Sequence, residues 1–189
     1  MSETIDWHTL HPRYLGPNSK VLDLGANYGH FSKAITERFC CHCVAVEPSP
    51  VPFTAIPEGT RITKLQAAIG EKTGTQPFHV ASESVASSLL QKHRSHSNTI
   101  EVKVFSLHDL LAHLEWSRVD LLKVDIEGAE IGMLAACANE VLERVSKITI
   151  EFHDFCGITP AEDVKQTLAR LRRLGFFSVR MSRVGHQDT

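Results

Sequence analysis

The sequence predicts an α/β domain whose mostly parallel sheet is doubly wound, with helices on both faces. Three features point to it. Short runs such as Val21-Leu22-Asp23-Leu24, Cys43-Val44-Ala45-Val46 and Val119-Asp120-Leu121-Leu122-Lys123-Val124 are apolar at most positions rather than at alternate ones, the pattern of strands buried on both faces. Segments of helical period separate them. The first run ends in a glycine turn, Gly25 to Gly29, that leads straight into such a segment.

Residues 1–19, with Pro12, Gly16, Pro17 and little periodicity, read as a lead-in holding at most one helical turn, and residues 20–189 as a single domain. A strand begins at Lys20. Tyr28 to Phe39 then spaces Phe31, Ala34, Ile35 and Phe39 as a helix does. Cys43 to Val46 is the second strand, and prolines at 48, 50, 52 and 57 make the crossover after it short or irregular. Arg61 to Leu65 reads as a third strand. Gln76 to Val80 and Ile100 to Phe105 read as further strands around a polar loop, Ser82 to Asn98. Ser106 suits the N-cap of a helix over Leu107 to Leu114. Val119 to Val124 is a strand, Ala129 to Leu142 a helix, and Lys147 to Phe152 the next strand. Thr159-Pro160 opens a helix that Gly175 ends after Leu174. Phe176 to Met181 is expected as a last strand, with an abbreviated sheet edge beyond it.

Composition excludes several classes of function. A length of 189 residues suits one domain, and 42% hydrophobic with 22% charged residues is ordinary globular usage rather than disorder. Twenty Lys+Arg against 22 Asp+Glu, a net charge of −2, give no field that would draw nucleic acid or an anionic membrane. The basic residues Lys92, His93, Arg94 and His96, and Arg170, Arg172 and Arg173, lack interleaved aromatics and read as solvated faces, so no nucleic-acid partner is expected. No run approaches the ~18 apolar residues of a membrane span. The start, with Glu3, Asp6, His8 and His11, lacks signal-peptide order, and the protein reads as cytoplasmic. Cys40, Cys41 and Cys43, three of five cysteines, are too crowded to pair and have no second ligand pair for zinc, so they read as reduced thiols.

The turn Asp23-Leu24-Gly25-Ala26-Asn27-Tyr28-Gly29 lies where open parallel sheets bind ligands. Its glycines are expected to let backbone come close to a small polar ligand beside a helix N-terminus. A dinucleotide fingerprint would need glycine at positions 27 and 30, which are Asn27 and His30, and no Gly-Lys-Ser/Thr follows to make a P-loop. Glu47 ends the second strand where an acidic side chain accepts from both ribose hydroxyls. Asp23 would repel phosphates but could bind an amino group. Together these residues suit a nucleoside without phosphate, as in S-adenosylmethionine. In the second constellation, Lys123 and Asp125 alternate along an apolar strand, Glu127 follows, Gly128 permits a sharp turn, and Glu130 favours a helix start. Burying Lys123 and Asp125 unpaired would be costly, so a pair or a site is expected.

These motifs resemble the FkbM family of class I, Rossmann-like methyltransferases. The D-x-G-A-N-x-G turn, Asp23 to Gly29, and the strand K-x-D-x-E-G-A-E, Lys123 to Glu130, carry the resemblance, with Glu151-Phe152-His153 as a third match. The resemblance implies S-adenosylmethionine as cofactor and methylation of a hydroxyl on a small molecule, glycan or lipid-like acceptor, free or tethered to a carrier. It puts Asp23, Gly25, Ala26, Asn27, Tyr28, Gly29 and Phe31 around the cofactor, with Glu47 and Pro48 at the ribose. Ala67 and Ala68 would flank adenine, Ser88 lies in a loop expected to close nearby, and Asp125 borders the site. Lys123, Asp125, Glu127, Glu151 and His153 are the catalytic candidates. His153, titrating nearest neutrality, or Asp125 is expected to be the base, with Lys123 orienting Asp125 or stabilising charge on the acceptor oxygen. The same carboxylates and imidazole could instead gather a divalent cation, although none is predicted. A NAD-type oxidoreductase and a catalytically silent nucleoside-binding module remain as alternatives.

Overall fold

The computed structural model describes residues 2–81, 96–153 and 159–179. It opens on an antiparallel hairpin, β1 (Glu3–Ile5) and β2 (His8–Leu10), where the sequence suggested a helical turn at most. Asp6 and Trp7 join the strands with φ of 44° and 67°, the double left-handed geometry of a tight hairpin turn. Three-residue strands are too short for periodicity to reveal.

β3 (Lys20–Leu24), α1 (His30–Phe39) and β4 (His42–Val46) then form the expected strand-helix-strand unit. The proline-rich crossover is one short helix, α2 (Pro50–Ala55), with proline at its first position where no N–H partner is needed, and β5 (Ile62–Leu65) follows. β6 (Ala68–Ile69), β7 (Gly74–Ala81) and β8 (His96–Phe105) make a small mixed sheet of their own. Residues 96–98, expected in the polar loop, belong to β8. α3 (Leu107–His113) starts where Ser106 Oγ accepts the N–H of Asp109 at 3.1 Å. β9 (Leu121–Val124), α4 (Glu130–Ala136), α5 (Asn139–Leu142), β10 (Ile148–Ile150) and α6 (Ala161–Arg173) complete the described elements.

The single helix expected over Ala129 to Leu142 is two. Cys137 and Ala138 are extended, with ψ of 128° and 150°, and Arg170 of α6 donates to the carbonyls of Leu134 and Cys137 that the break exposes. No strand forms over 176–179. Phe177 is 93% exposed there; the remainder of that expected strand lies outside the described residues.

The main sheet is wholly parallel in the order β10-β9-β3-β4-β5. The chain builds outward from β3 through β4 to β5, then returns to β9 and β10 on the other side, so strand order reverses between β3 and β9. Alternation along the strands covers both faces. Leu22, Leu24, Val44, Val46, Leu122 and Val124 pack with Leu110, Met133 and Leu134 in one cluster. Val21, Cys43 and Leu121 pack against Phe31 and Ile35 of α1 and against Ile5 and Leu10 of the hairpin. Burying these side chains contributes roughly 1.5–3 kcal/mol each for the larger ones. No helix among the described residues is long and apolar enough to cross a membrane.

Candidate active site

The strand register sets polar groups in rows on the α1 face. Asp23 of β3 lies beside Lys123 of β9, and Lys123 beside Thr149 of β10. Two residues further along those chains come Gly25, Asp125 and Glu151, and β4 leads to Glu47 in the same way.

The turn after β3 is shaped mainly by protein packing. Gly25 has φ +76°, and a Cβ there would stand 1.8 Å from the carbonyl oxygen of Asp125, so only glycine lets this turn lie against the end of β9. Gly29, also at +76°, precedes α1, and its Cβ would meet Ile56 Cγ2 at 2.9 Å. The N–H groups of Gly25 and Ala26 both donate to the Val46 carbonyl at 3.0 Å. The glycines therefore let neighbouring chain pack close, as the tight turn requires, and Gly25 also lines the cleft described next.

A cleft opens over the carboxyl ends of β3, β4 and β9. Gly25, Asn27, Glu47, Pro48 and Ser49 line one part, Ala67, Ala68, Ile69 and Phe78 an apolar part, and Asp125, Ile126 and Glu127 the far side. Five residues expected around the cofactor do not line it. Asp23 is fully buried, with Oδ2 accepting from Ser32 Oγ at 2.6 Å and Oδ1 3.1 Å from Lys123 Nζ. Its charge answers Lys123 rather than a ligand amine. Ala26 packs with Ala45 and Ile56, Gly29 faces Ile56, Tyr28 is half-buried beside His30, and Phe31 is core. Ser88 lies outside the described residues.

Glu47 is 6% exposed. Its Oε2 accepts the Asn27 N–H at 2.9 Å and its Oε1 the Ser49 N–H at 2.8 Å, which aims the carboxylate while leaving lone pairs for further donors. Burial raises its pKa, and the N–H groups of Ser49 and Asn27 oppose that rise. Asn27, at φ +49°, carries a buried side-chain oxygen with no hydrogen-bond partner among the described residues.

Across the cleft, Lys123 donates to the Gly25 carbonyl at 2.7 Å and lies 3.1 Å from Asp23 and 3.6 Å from Asp125. Burial works against its charge, yet Asp23 and Asp125 outweigh burial and its pKa is raised. It braces the glycine turn and orients Asp125. At 3% exposure its ammonium is turned to Gly25, Asp23 and Asp125, and it is not among the residues that line the cleft.

His153 sits just beyond β10. Glu130, fully buried, accepts on Oε1 from the N–H groups of Ile126 and Gly128 and from His153 Nδ1, all within 3.1 Å. His153 Nε2 faces Glu127 Oε2 at 3.4 Å and Asp125 Oδ1 at 3.8 Å. With a carboxylate before each ring nitrogen, both nitrogens act as donors. Burial would lower the His153 pKa, but Glu130, Glu127 and Asp125 together raise it to about 9. The imidazole is thus a cation at neutral pH, correcting the expectation that it titrates near 7. Burial also opposes charge on Asp125, where His8, Lys123 and His153 prevail and bring its pKa to about 2.

Two members of this cluster were not found from sequence. Glu130 was read as a helix-start residue only. His8, on a three-residue strand in the supposed lead-in, had no motif to mark it. Its Nε2 lies 3.5 Å from Asp125 Oδ2. Ligand atoms of His8, Asp125 and Glu151, and of Asp125, Glu127 and His153, converge within 4.8 Å, an arrangement able to approach a cation, although Lys123 and the His153 imidazolium already bring positive charge to it.

A family model described as the methyltransferase FkbM domain matches residues 23–178. The chain is 26% identical over 198 positions to the 31-O-demethyl-FK506 methyltransferase FkbM of Streptomyces tacrolimicus, covering 86% of this chain and 74% of that one. It is 25% identical over 183 positions to the methyltransferase sdnD of Sordaria araneosa, covering 77% and 71%. Among solved structures it is similar to a methyltransferase from an antibiotic biosynthesis pathway of Anabaena variabilis, with 13% identity and a TM-score of 0.34 over 70% of this chain; the match spans 38% of that longer chain. With the family match running through both motifs and the strand ends that build the cleft, the chain belongs to the FkbM family of methyltransferases.

Proposed function

We propose that the protein transfers a methyl group from S-adenosylmethionine to a hydroxyl oxygen of a small-molecule, sugar or lipid-like acceptor, free or carrier-tethered. The observation that carries this reading is Glu47: a buried carboxylate aimed by two backbone N–H groups into a cleft, at the strand end where a ribose diol would sit. The Asn27 side-chain oxygen beside it, without a hydrogen-bond partner among the described residues, suits a ligand N–H or O–H, and Ala67, Ala68, Ile69 and Phe78 suit the faces of adenine. Asn27 occupies a position where a dinucleotide fingerprint needs glycine, which argues against NAD.

The cofactor, when bound, supplies an activated methyl group on sulfur, and the chain must hold the acceptor oxygen in line and take up one proton. Asp125 and Glu127 border the cleft from the side opposite Glu47. The low pKa of Asp125 suits it to accept the hydrogen bond of the hydroxyl and orient it, and the released proton passes to the carboxylate pair Asp125 and Glu127 at the cleft or to water beyond them. His153, protonated, holds both carboxylates in place.

Isothermal titration tests the cofactor reading. S-adenosylhomocysteine should bind and NAD should not. A folded Glu47→Ala variant should lose charge-assisted hydrogen bonds of roughly 1.5–3 kcal/mol, about ten- to a hundredfold in affinity. Absence of binding to the folded wild-type chain would refute the proposal. Incubation with methyl-labelled S-adenosylmethionine and fractionated cell extract then isolates the acceptor.

A further inference from the structure

The amino-terminal hairpin precedes the segment that the family model matches, yet it is tied to the middle of the site. Thr149 of β10, next to Lys123 in the sheet, places its hydroxyl 3.3 Å from the Thr9 carbonyl and 3.4 Å from His8 Nδ1. The His8 ring stands edge-on to Phe31 of α1, with centroids 5.7 Å apart at 78°. Backbone, hydroxyl and aromatic ring thus fix an imidazole that is only 4% exposed. Burying a polar ring costs free energy unless its nitrogens find partners, and Nδ1 faces Thr149 while Nε2 faces Asp125.

The contact with Asp125 is directional. Oδ2 faces His8 Nε2 at 3.5 Å and Lys123 Nζ at 3.6 Å, while Oδ1 faces His153 Nε2 at 3.8 Å. Lys123 is already bonded to the Gly25 carbonyl and paired with Asp23. His8 therefore brings a partner from a separate element, and the two contacts on Oδ2 hold one rotation of the carboxylate.

We infer that His8 is a positioning residue: through Nε2 it fixes the Asp125 carboxylate at the edge of the cleft, making the amino-terminal hairpin part of the active site. The role in turnover rests on the methyl-transfer reading of the cleft; the contact between His8 and Asp125 does not.

The test uses the full chain with His8→Phe, which keeps a ring against Phe31, and His8→Gln, which keeps an N–H donor. Circular dichroism checks folding. With methyl-labelled S-adenosylmethionine and the extract fraction that takes up label, His8→Phe should lower kcat about ten- to a hundredfold, the scale of a misplaced reacting group. Affinity for S-adenosylhomocysteine should stay within about twofold. His8→Gln should recover most of the loss, and in an Asp125→Asn background His8→Phe should have no further effect. Wild-type kcat in folded His8→Phe, or an equal loss in the Asp125→Asn background, would overturn the inference. Nitrogen-15 spectra of histidine-labelled protein decide without an acceptor: Asp125→Asn should move the His8 Nε2 resonance, and an unmoved resonance overturns the pairing. Failure of S-adenosylhomocysteine to bind the wild type would instead strike the methyl-transfer reading and leave the spectra informative.

Discussion

Replacing Lys123 by methionine keeps the length and much of the apolar volume of the side chain while removing its ammonium. In the folded chain that ammonium lies 3.1 Å from Asp23 Oδ1 and 2.7 Å from the Gly25 carbonyl, with Asp23 fully buried. Without it, Asp23 retains the Ser32 hydroxyl but, among the described residues, no countercharge. Breaking such a pair from one side costs about 3–5 kcal/mol, a large share of the ~5–15 kcal/mol that holds a domain folded. Asp23→Asn in the same chain removes the stranded charge, so the double variant should be more stable than the sum of the singles by about 2 kcal/mol or more. Urea unfolding of the wild type, both singles and the double at pH 7 measures this coupling directly. Losses that add to within ~0.5 kcal/mol would show that the two groups do not depend on each other, and the reasoning that Lys123 braces the turn would fail.

Gly25→Ala places a Cβ against the Asp125 carbonyl at a left-handed φ, so strain of about 1–2 kcal/mol and overpacking of about 1–3 kcal/mol should combine; thermal unfolding at the wild-type midpoint would contradict the close approach. His153 carries a raised pKa of about 9 in the folded state, set by Glu130, Glu127 and Asp125, against about 6.5 unfolded. Its contribution is therefore whole below about pH 6.5 and is lost as pH rises towards 9, about 3 kcal/mol in total; urea midpoints from pH 6 to 10 should fall in the wild type, and a His153→Gln variant showing the same slope would refute the assignment. Methyl transfer should be flat from about pH 7 to 8 and decline above about 9 as the imidazolium is lost; a rate rising tenfold per pH unit up to 9 would make the neutral imidazole the base. Because Lys123 and His153 already supply positive charge to the cluster, EDTA should leave labelled methyl transfer unchanged and manganese should give no saturable heat; binding abolished by Asp125→Asn would instead make the cluster a metal site.

The apolar runs ending in Gly25, Glu47 and Asp125 were enough to predict the parallel sheet, because strands buried on both faces must be apolar throughout, and local chemistry marked their polar ends. Ser106 and Gly175 likewise announced a helix start and a helix stop through short-range bonding alone. What each polar residue faces was decided elsewhere. Asp23 reads as a ligand group in its motif, but the register places it beside Lys123, and Lys123 beside Thr149. Glu130 reads as a helix-start acid until His153 arrives from the turn beyond β10. His8 has no local pattern, since its partners Asp125 and Thr149 lie more than a hundred residues away and only the docking of the separate hairpin against the main sheet brings them together. The sequence by itself determined the central buried strands, the helices beside them and which end of the sheet carries the chemistry, since those follow from apolar spacing and turn residues, whereas the short hairpin and the break after α4 left no such signal. Only the tertiary structure decided which charges neutralise one another and which remain at the cleft, because Coulomb energy and desolvation depend on distances in space that no spacing along the chain records.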